Sequence, residues 1–184
     1  KIAKNSQNNL IEDENEAIEL LEKTLLESVQ SQLISDVPLG AFLSGGIDSS
    51  VIVSLMQKVS KKPVETFTIG FEESAFNEAI YAKEVAKYLG TDHHELYVTA
   101  SDAFKVIPHL PTLYDEPFAD SSQIPTYLVS KLAKQKVTVS LSGDAGDELF
   151  GGYNRYLWGS RIWSKAKWIP PNLRSIVGGV IQKL

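Results

Sequence analysis

Leu39-Gly40-Ala41-Phe42-Leu43-Ser44-Gly45-Gly46-Ile47-Asp48-Ser49-Ser50 decides how the rest of this chain is read. The run Pro38 to Leu43 is short and unbroken in its apolarity, the pattern of a parallel strand buried on both faces. After the glycines, Val51, Ile52, Leu55 and Met56 recur at helical spacing over residues 48–59. Strand, glycine loop and helix in that order open a βαβ unit. Working outward, residues 64–69 read as a second strand, 76–89 as a helix closed by Gly90, and 94–98 as a third strand. A helical stretch over 102–113 is interrupted by Pro108 and Pro111, a loop covers 115–122, and a helix covers 123–134. Val137-Thr138-Val139-Ser140-Leu141 is the fourth strand by its β-branched content. Upstream, Ile18, Leu21, Leu25, Val29 and Leu33 mark one apolar helical face over 13–34, with acids crowding its first turns. Strands alternating with helices, joined by right-handed crossovers, imply an α/β fold: a doubly wound parallel sheet with helices on both faces. If strand four returns beside strand one, the order is 3-2-1-4. The loops after strands one and four then open on one crevice beyond the carboxyl ends of the strands, where ligands bind in such sheets.

With 43% apolar and 22% charged residues, a chain of 184 can build a full core, which excludes disorder as its main state. No stretch reaches the roughly 18–20 apolar residues of a membrane-spanning helix. Residues 1–9 lack the apolar run of a signal peptide, so no membrane and a cytoplasmic setting are expected. Cysteine is absent, which removes disulfides, thiolate metal sites, Fe–S clusters and cysteine nucleophiles. A net charge of −5 argues against a nucleic-acid partner. Residues 151–184 differ, carrying six bases and no acid; this stretch fits an anion or acidic partner and fits a solvated helix face equally well. The chain starts without Met and stops on Ile176, Val177, Val180, Ile181 and Leu184. It is therefore expected to be a fragment: a partial domain over 1–184, with a nucleotide-binding core over about 13–150 and a truncated helical continuation over 151–184. An exposed C-terminal apolar surface would favour a homo-oligomer.

Two loops carry the chemistry. In Ser44-Gly45-Gly46-Ile47-Asp48-Ser49-Ser50 the glycines let the backbone turn tightly, N–H groups converge, and the following helix presents its positive end to the same point. That describes a phosphate cradle, although it lacks the lysine of the Walker loop and the dinucleotide G-x-G-x-x-G spacing. A carboxylate among phosphates makes sense with a cation between them, so Asp48 is a candidate Mg²⁺ ligand. Taken alone, the same residues also describe a tight turn with an N-cap, and that alternative stays open. The second loop, Ser142-Gly143-Asp144-Ala145-Gly146-Asp147-Glu148, holds more carboxylates and hydroxyls than a turn requires. In the shared crevice Asp48 and Asp147 would be able to hold one metal.

These residues resemble a known family. Leu43 to Ser50 is similar to the pyrophosphate-binding SGGxDS loop of the N-type ATP pyrophosphatases, the PP-loop superfamily with its adenine nucleotide alpha hydrolase-like fold. Four further segments narrow the resemblance: 66–71, 89–95, Tyr114-Asp115-Glu116-Pro117-Phe118-Ala119-Asp120-Ser121-Ser122, and 142–153. Together they resemble the synthetase domain of glutamine-hydrolysing asparagine synthetases, in order from about residue 13 to 160. The resemblance implies a ligase that uses ATP and Mg²⁺: the aspartate side-chain carboxylate is activated as an acyl-adenylate with release of pyrophosphate, and ammonia then displaces AMP. By motif, Ser44, Gly45, Gly46, Asp48, Ser49 and Ser50 would hold pyrophosphate, and Asp48 and Asp147 would ligate Mg²⁺. The main chain at Leu43 and Ile69 would hold adenine, and Ser142 and Gly143 would line the AMP side. Asp144, where many relatives carry Glu, and Tyr153 would face the acceptor substrate; Asp48, Asp144 and Asp147 are the candidate catalytic residues. Family members obtain ammonia from glutamine through a glutaminase domain with an N-terminal cysteine, which is absent here, and a lysine used in adenylation lies in the family beyond the position of Leu184. The fragment is therefore expected to be inactive alone.

The alternatives are a β-lactam synthetase-like cyclase, a tRNA-modifying adenylating enzyme, or a nucleotide-binding fragment without turnover. His93-His94 invites a metal, but neighbouring strand residues point to opposite faces and no third ligand follows at usable spacing. Ser142 follows a strand as a hydrolase nucleophile does, yet G-x-S-x-G fails around it. Asp115-Glu116-Pro117 reads as an acid pair reaching the cleft or as a helix-ending turn. Trp158, Trp163 and Trp168 recur every five residues, fit no single helical face, and are expected in an interface or a core.

Overall fold

Four strands pair in parallel, and one short apolar strand inside the sheet has a neighbour on each side. In the structure, a computed structural model that describes residues 10–72, 77–116, 120–171 and 173–174, that strand is β1 (Leu39–Phe42), with Gly40 and Ala41 buried. On one side it pairs with β2 (Glu65–Phe71) in the register Gly40 to Glu65, Ala41 to Thr66 and Phe42 to Phe67. On the other it pairs with β4 (Val139–Leu141), which sets Leu39 opposite Val139. β3 (Asp92–Val98) completes the sheet against β2, so the order is β3-β2-β1-β4, the order expected if strand four returns beside strand one.

The helices follow from capping and apolar spacing. Asp13 accepts a hydrogen bond from the Glu16 amide at 2.8 Å and starts α1 (Glu14–Gln32). The crossovers are α2 (Ile47–Val59), α3 (Ala79–Leu89), which Gly90 ends in a left-handed conformation, and α6 (Gln123–Ala133). Between β3 and α6 lie α4 (Ala100–Val106), a 3₁₀ turn (Ile107–His109) and α5 (Leu110–Leu113), so the two prolines divide the helical stretch as expected. Strand alternation sorts the faces. Ala41 and Leu43 turn to a core with Val53, Met56, Ala82, Ala86 and Val29 of α1, α2 and α3. Phe67 turns the other way, to Ala133 and Val137 at the end of α6. Val98, Val106 and Leu128 close the same side further along.

Two strand starts and one helix face differ from the sequence reading for physical reasons. Strand three starts at Asp92 rather than His94, because the polar Asp92 and His93 still pair with Glu65 and Thr66. Strand four starts at Val139, since the Val137 amide still donates to the Ala133 carbonyl at 2.8 Å. Only the second half of the α1 stripe is used: Leu25, Val29 and Leu33 pack on the core, whereas Ile18 is 56% exposed. The start of the 76–89 helix, Pro117 to Ala119 and the terminal apolar run 176–184 lie outside the described residues.

By internal contacts the chain divides between Gly143 and Asp144. The second unit contains α7 (Gly146–Phe150) and α8 (Asn154–Ala166). Trp158 and Trp163 of α8, and Trp168 beyond its end, are exposed, so none of the three is core in this structure; a five-residue spacing sets Trp158 and Trp163 on different sides of the helix. No helix among the described residues is long and apolar enough to cross a membrane.

Candidate active site

β1 stops at Phe42 because the chain must turn into α2 within four residues. Gly45 makes the turn at φ +81°, in the left-handed region that glycine occupies without strain. It also has no room for a side chain, as a Cβ there would lie 2.6 Å from the Ala82 amide nitrogen of α3. The loop is tied by its own hydroxyls. Ser49, which is buried, accepts from the Ser44 amide at 3.2 Å and lies 3.0 Å from the Ser44 hydroxyl. The Gly46 amide donates to Ser44 Oγ at 3.2 Å, and the Ser50 hydroxyl donates to the Gly46 carbonyl at 2.6 Å. Gly46 is the N-cap of α2 and supplies no side-chain acceptor, so the helix begins uncapped by any side chain. The first amides of a helix have no partner within it and, with the helix dipole, form a place for an anion. The loop's hydroxyls brace the turn and make no N-cap bond to the first turn of α2.

Ser142 and Gly143 follow β4 and come from the other side. A Cβ on Gly143 would lie 2.6 Å from the Ser49 nitrogen, 2.8 Å from the Asp48 carbonyl carbon and 3.0 Å from the Ser49 Cα. Gly143 therefore meets the first turn of α2 at backbone contact, a juxtaposition that follows from β4 lying beside β1. Asp48, half-buried in that turn, offers only oxygen donors, which suits a hard cation such as Mg²⁺.

Beside the loop is a cleft of about 360 Å³ lined by Leu43, Ser44, Ile69, Phe71, Glu78 and Thr126 among others. Its volume falls in the range of small-molecule sites, roughly 300–1,000 Å³. The ladder between β1 and β2 ends where the Leu43 amide donates to the Phe67 carbonyl at 3.0 Å. Alternate residues of a parallel strand face alternate neighbours, so Ile69, two residues beyond Phe67, turns its N–H and C=O to the side that β1 has already left. The main chain at Leu43 and Ile69 thus borders the cleft. Phe71, Glu78 and Thr126 are lining residues that the sequence reading missed. The side-chain alternation of Phe67, Ile69 and Phe71 along β2 was the available signal for the first of them, but nothing local marked Glu78 at the N-cap of α3.

In the second unit Ala145 takes φ 74° ahead of α7, and Gly151 and Gly152 fold back upon it. A Cβ on Gly152 would run into the Asp147 carboxylate. The Tyr153 hydroxyl donates to Glu148 Oε1 at 2.6 Å, which holds Glu148 below the ordinary carboxylate range and pushes the Tyr153 phenol up. Arg155 stacks over the Tyr153 ring at 4.1 Å. Asp144, Asp147 and Tyr153 belong to this unit, whereas Leu43 to Ser50, Ile69, Ser142 and Gly143 belong to the first. Asp115 and Glu116 are exposed.

Comparison with known proteins adds to this geometry. The asparagine synthase family model matches residues 20–183. Asparagine synthetase [glutamine-hydrolyzing] 1 of Bacillus subtilis is 42% identical over 78% of this chain and 23% of its own length. Asparagine synthetase B [glutamine-hydrolyzing] of Escherichia coli is 39% identical over 78% of this chain and 28% of its own. The chain thus spans about a quarter of these relatives. Among solved structures, the NH3-dependent NAD synthetase from Campylobacter jejuni superposes with a TM-score of 0.52 at 16% identity, over 74% of this chain and 60% of its own. An NMN synthetase from Francisella tularensis gives 0.51 at 16% identity, over 73% of this chain and 58% of its own. At that identity the likeness is one of fold.

Proposed function

The chain belongs to the asparagine synthase family, and from that premise we propose that it forms the nucleotide-handling part of an ATP-dependent amide synthetase acting on aspartate. The observation that carries this reading is the backbone contact of Gly143 on the uncapped start of α2, beside a cleft bordered by the Leu43 and Ile69 main chain. Such a place can hold a row of phosphates and a planar base at once.

In this proposal Ser44, Gly45, Gly46, Ser49 and Ser50 hold pyrophosphate through amides and hydroxyls, Leu43 and Ile69 meet adenine, and Ser142 and Gly143 border the AMP portion. Asp48 and Asp147 are Mg²⁺ ligands; the ion, when bound, neutralises charge on the departing pyrophosphate. An oxygen of the aspartate side-chain carboxylate bonds to the α-phosphorus as the bond to the bridging oxygen breaks, and pyrophosphate leaves with that electron pair. Ammonia then attacks the acyl carbon, the carbon–oxygen bond to AMP breaks, and nitrogen loses a proton. Asp144 and Tyr153 face the acceptor. Glutamine is the proposed ammonia source, through a cysteine-dependent glutaminase that these 184 residues, which hold no cysteine, do not contain.

The test supplies the longest polypeptide carrying this chain with Mg·ATP, aspartate and ammonia. Equal amounts of AMP, pyrophosphate and asparagine are expected. Aspartate-dependent formation of ADP and phosphate would overturn the reading.

A further inference from the structure

At the other end of the sheet, away from the glycine loops, Glu65 opens β2 and Asp92 opens β3. The parallel register sets Glu65 opposite Asp92 and Phe67 opposite His94. Directly opposed strand residues share a face, and so do residues two apart. Glu65, Asp92 and His94 therefore gather on the α6 face, while His93 turns to the other, where its Nδ1 lies 2.9 Å from the buried Thr66 hydroxyl. Sequence spacing alone shows no third ligand for a histidine here, because that ligand comes from the neighbouring strand.

One donor atom from each of Glu65, Asp92 and His94 lies within 4.8 Å of the other two. His94 Nε2 is 2.6 Å from Glu65 Oε2 and 3.7 Å from Asp92 Oδ1. Ligands about 2.0–2.2 Å from a tetrahedral Zn²⁺ stand roughly 3.4 Å apart, so small rotations of the carboxylates bring the three donors into place. The imidazole is already fixed, since it stacks on the fully buried Phe67 ring at 5.2 Å and 25°. Charge supplies an independent reason. Glu95, on the opposite face of β3, has Lys83 at 2.9 Å, but among the described residues neither Glu65 nor Asp92 has a lysine or arginine partner. Side-chain exposures of 32%, 22% and 57% for Glu65, His94 and Asp92 leave one side open to water, as a fourth ligand requires.

We propose that Glu65, Asp92 and His94 form a second, non-catalytic metal site that binds one Zn²⁺ and clamps the start of β2 to the start of β3. Imidazole with two carboxylates selects zinc-like ions over Mg²⁺, so this site is chemically distinct from Asp48. Its test needs no nucleotide turnover. The chain, stripped with a chelator, is titrated with Zn²⁺ against a chromophoric competitor, and thermal unfolding is followed with and without the ion. The expected result is one equivalent bound and a raised unfolding midpoint. Second-sphere changes alone cost metal sites roughly 10–100-fold in affinity, so loss of a ligand in His94→Gln or Asp92→Asn should weaken binding at least about tenfold, while His109→Asn leaves it unchanged. Asp92 is the most exposed of the three, so its variant retains the fold if His94→Gln does not. Absence of Zn²⁺ binding by the unaltered chain, or equal binding by Asp92→Asn, would overturn the proposal.

Discussion

Gly143→Ala tests the junction on which the nucleotide site depends. The added methyl would sit 2.6 Å from the Ser49 nitrogen and 2.8 Å from the Asp48 carbonyl carbon, both main-chain atoms that cannot rotate aside. Comfortable separations for carbon begin near 3.5 Å, so Gly143 and the first turn of α2 must part by about 1 Å. Overpacking of this kind costs about 1–3 kcal/mol. The effect on chemistry is larger, because a displacement of about 1 Å in the groups that position a substrate lowers rates by roughly 100-fold. Gly46→Ala is the comparison: its Cβ meets only the Ser44 hydroxyl, at 3.2 Å, and its φ of −71° suits alanine, so the cost in stability stays below about 1 kcal/mol. Urea unfolding midpoints for the two variants, together with Mg·ATP binding by calorimetry, give the answer. Gly143→Ala should lose both stability and nucleotide affinity. Unchanged midpoint and affinity in Gly143→Ala would show that Gly143 does not meet the first turn of α2 as described.

Asp48→Asn keeps the shape of the side chain and removes its charge; aspartate-dependent pyrophosphate release should fall at least about 100-fold, since metal charge stabilisation supplies several kcal/mol, while the unfolding midpoint holds. Near-normal release would remove Asp48 from the metal's ligands. Burial holds the His93 imidazole below its usual 6.5. The unfolded chain therefore takes up a proton near that pH that the folded chain resists, so His93 leaves stability intact above about 6.5 and erodes it as pH falls toward the lower folded value. Urea midpoints at pH 7.5 and 5.5 should diverge less in His93→Gln, and an unaltered difference would contradict this. Met56→Ala opens a cavity beneath α2, where Met56 is 1% exposed, and should cost about 2–5 kcal/mol by the same denaturation assay.

The strand order was legible because strands one, two and four are short apolar or β-branched runs, each strand is followed by a helix, and right-handed crossovers leave few ways to wind four of them. The first glycine loop was legible from Gly45 and Gly46 beside hydroxyls. The contact of Gly143 on Ser49 was not, since it depends on β4 lying against β1 at a register that no local pattern specifies. The same holds for Glu65, Asp92 and His94, which are joined by the offset between two strands. Asp92 and His93 are polar and so did not look like strand; backbone pairing with Glu65 and Thr66 outweighs their composition. The tryptophans were misread as possible core because aromatic content says nothing about direction, and Trp158, Trp163 and Trp168 are 59%, 60% and 83% exposed.

The central claim is that the aspartate side-chain carboxylate attacks the α-phosphorus of a nucleotide held by Ser44 to Ser50, Leu43 and Ile69. Oxygen transfer tests it most directly. With aspartate labelled by ¹⁸O in its side-chain carboxylate, supplied with Mg·ATP and ammonia to the longest polypeptide that carries this chain, one labelled oxygen is predicted in AMP and none in pyrophosphate. Label in inorganic phosphate, or unlabelled AMP formed alongside asparagine, would contradict it.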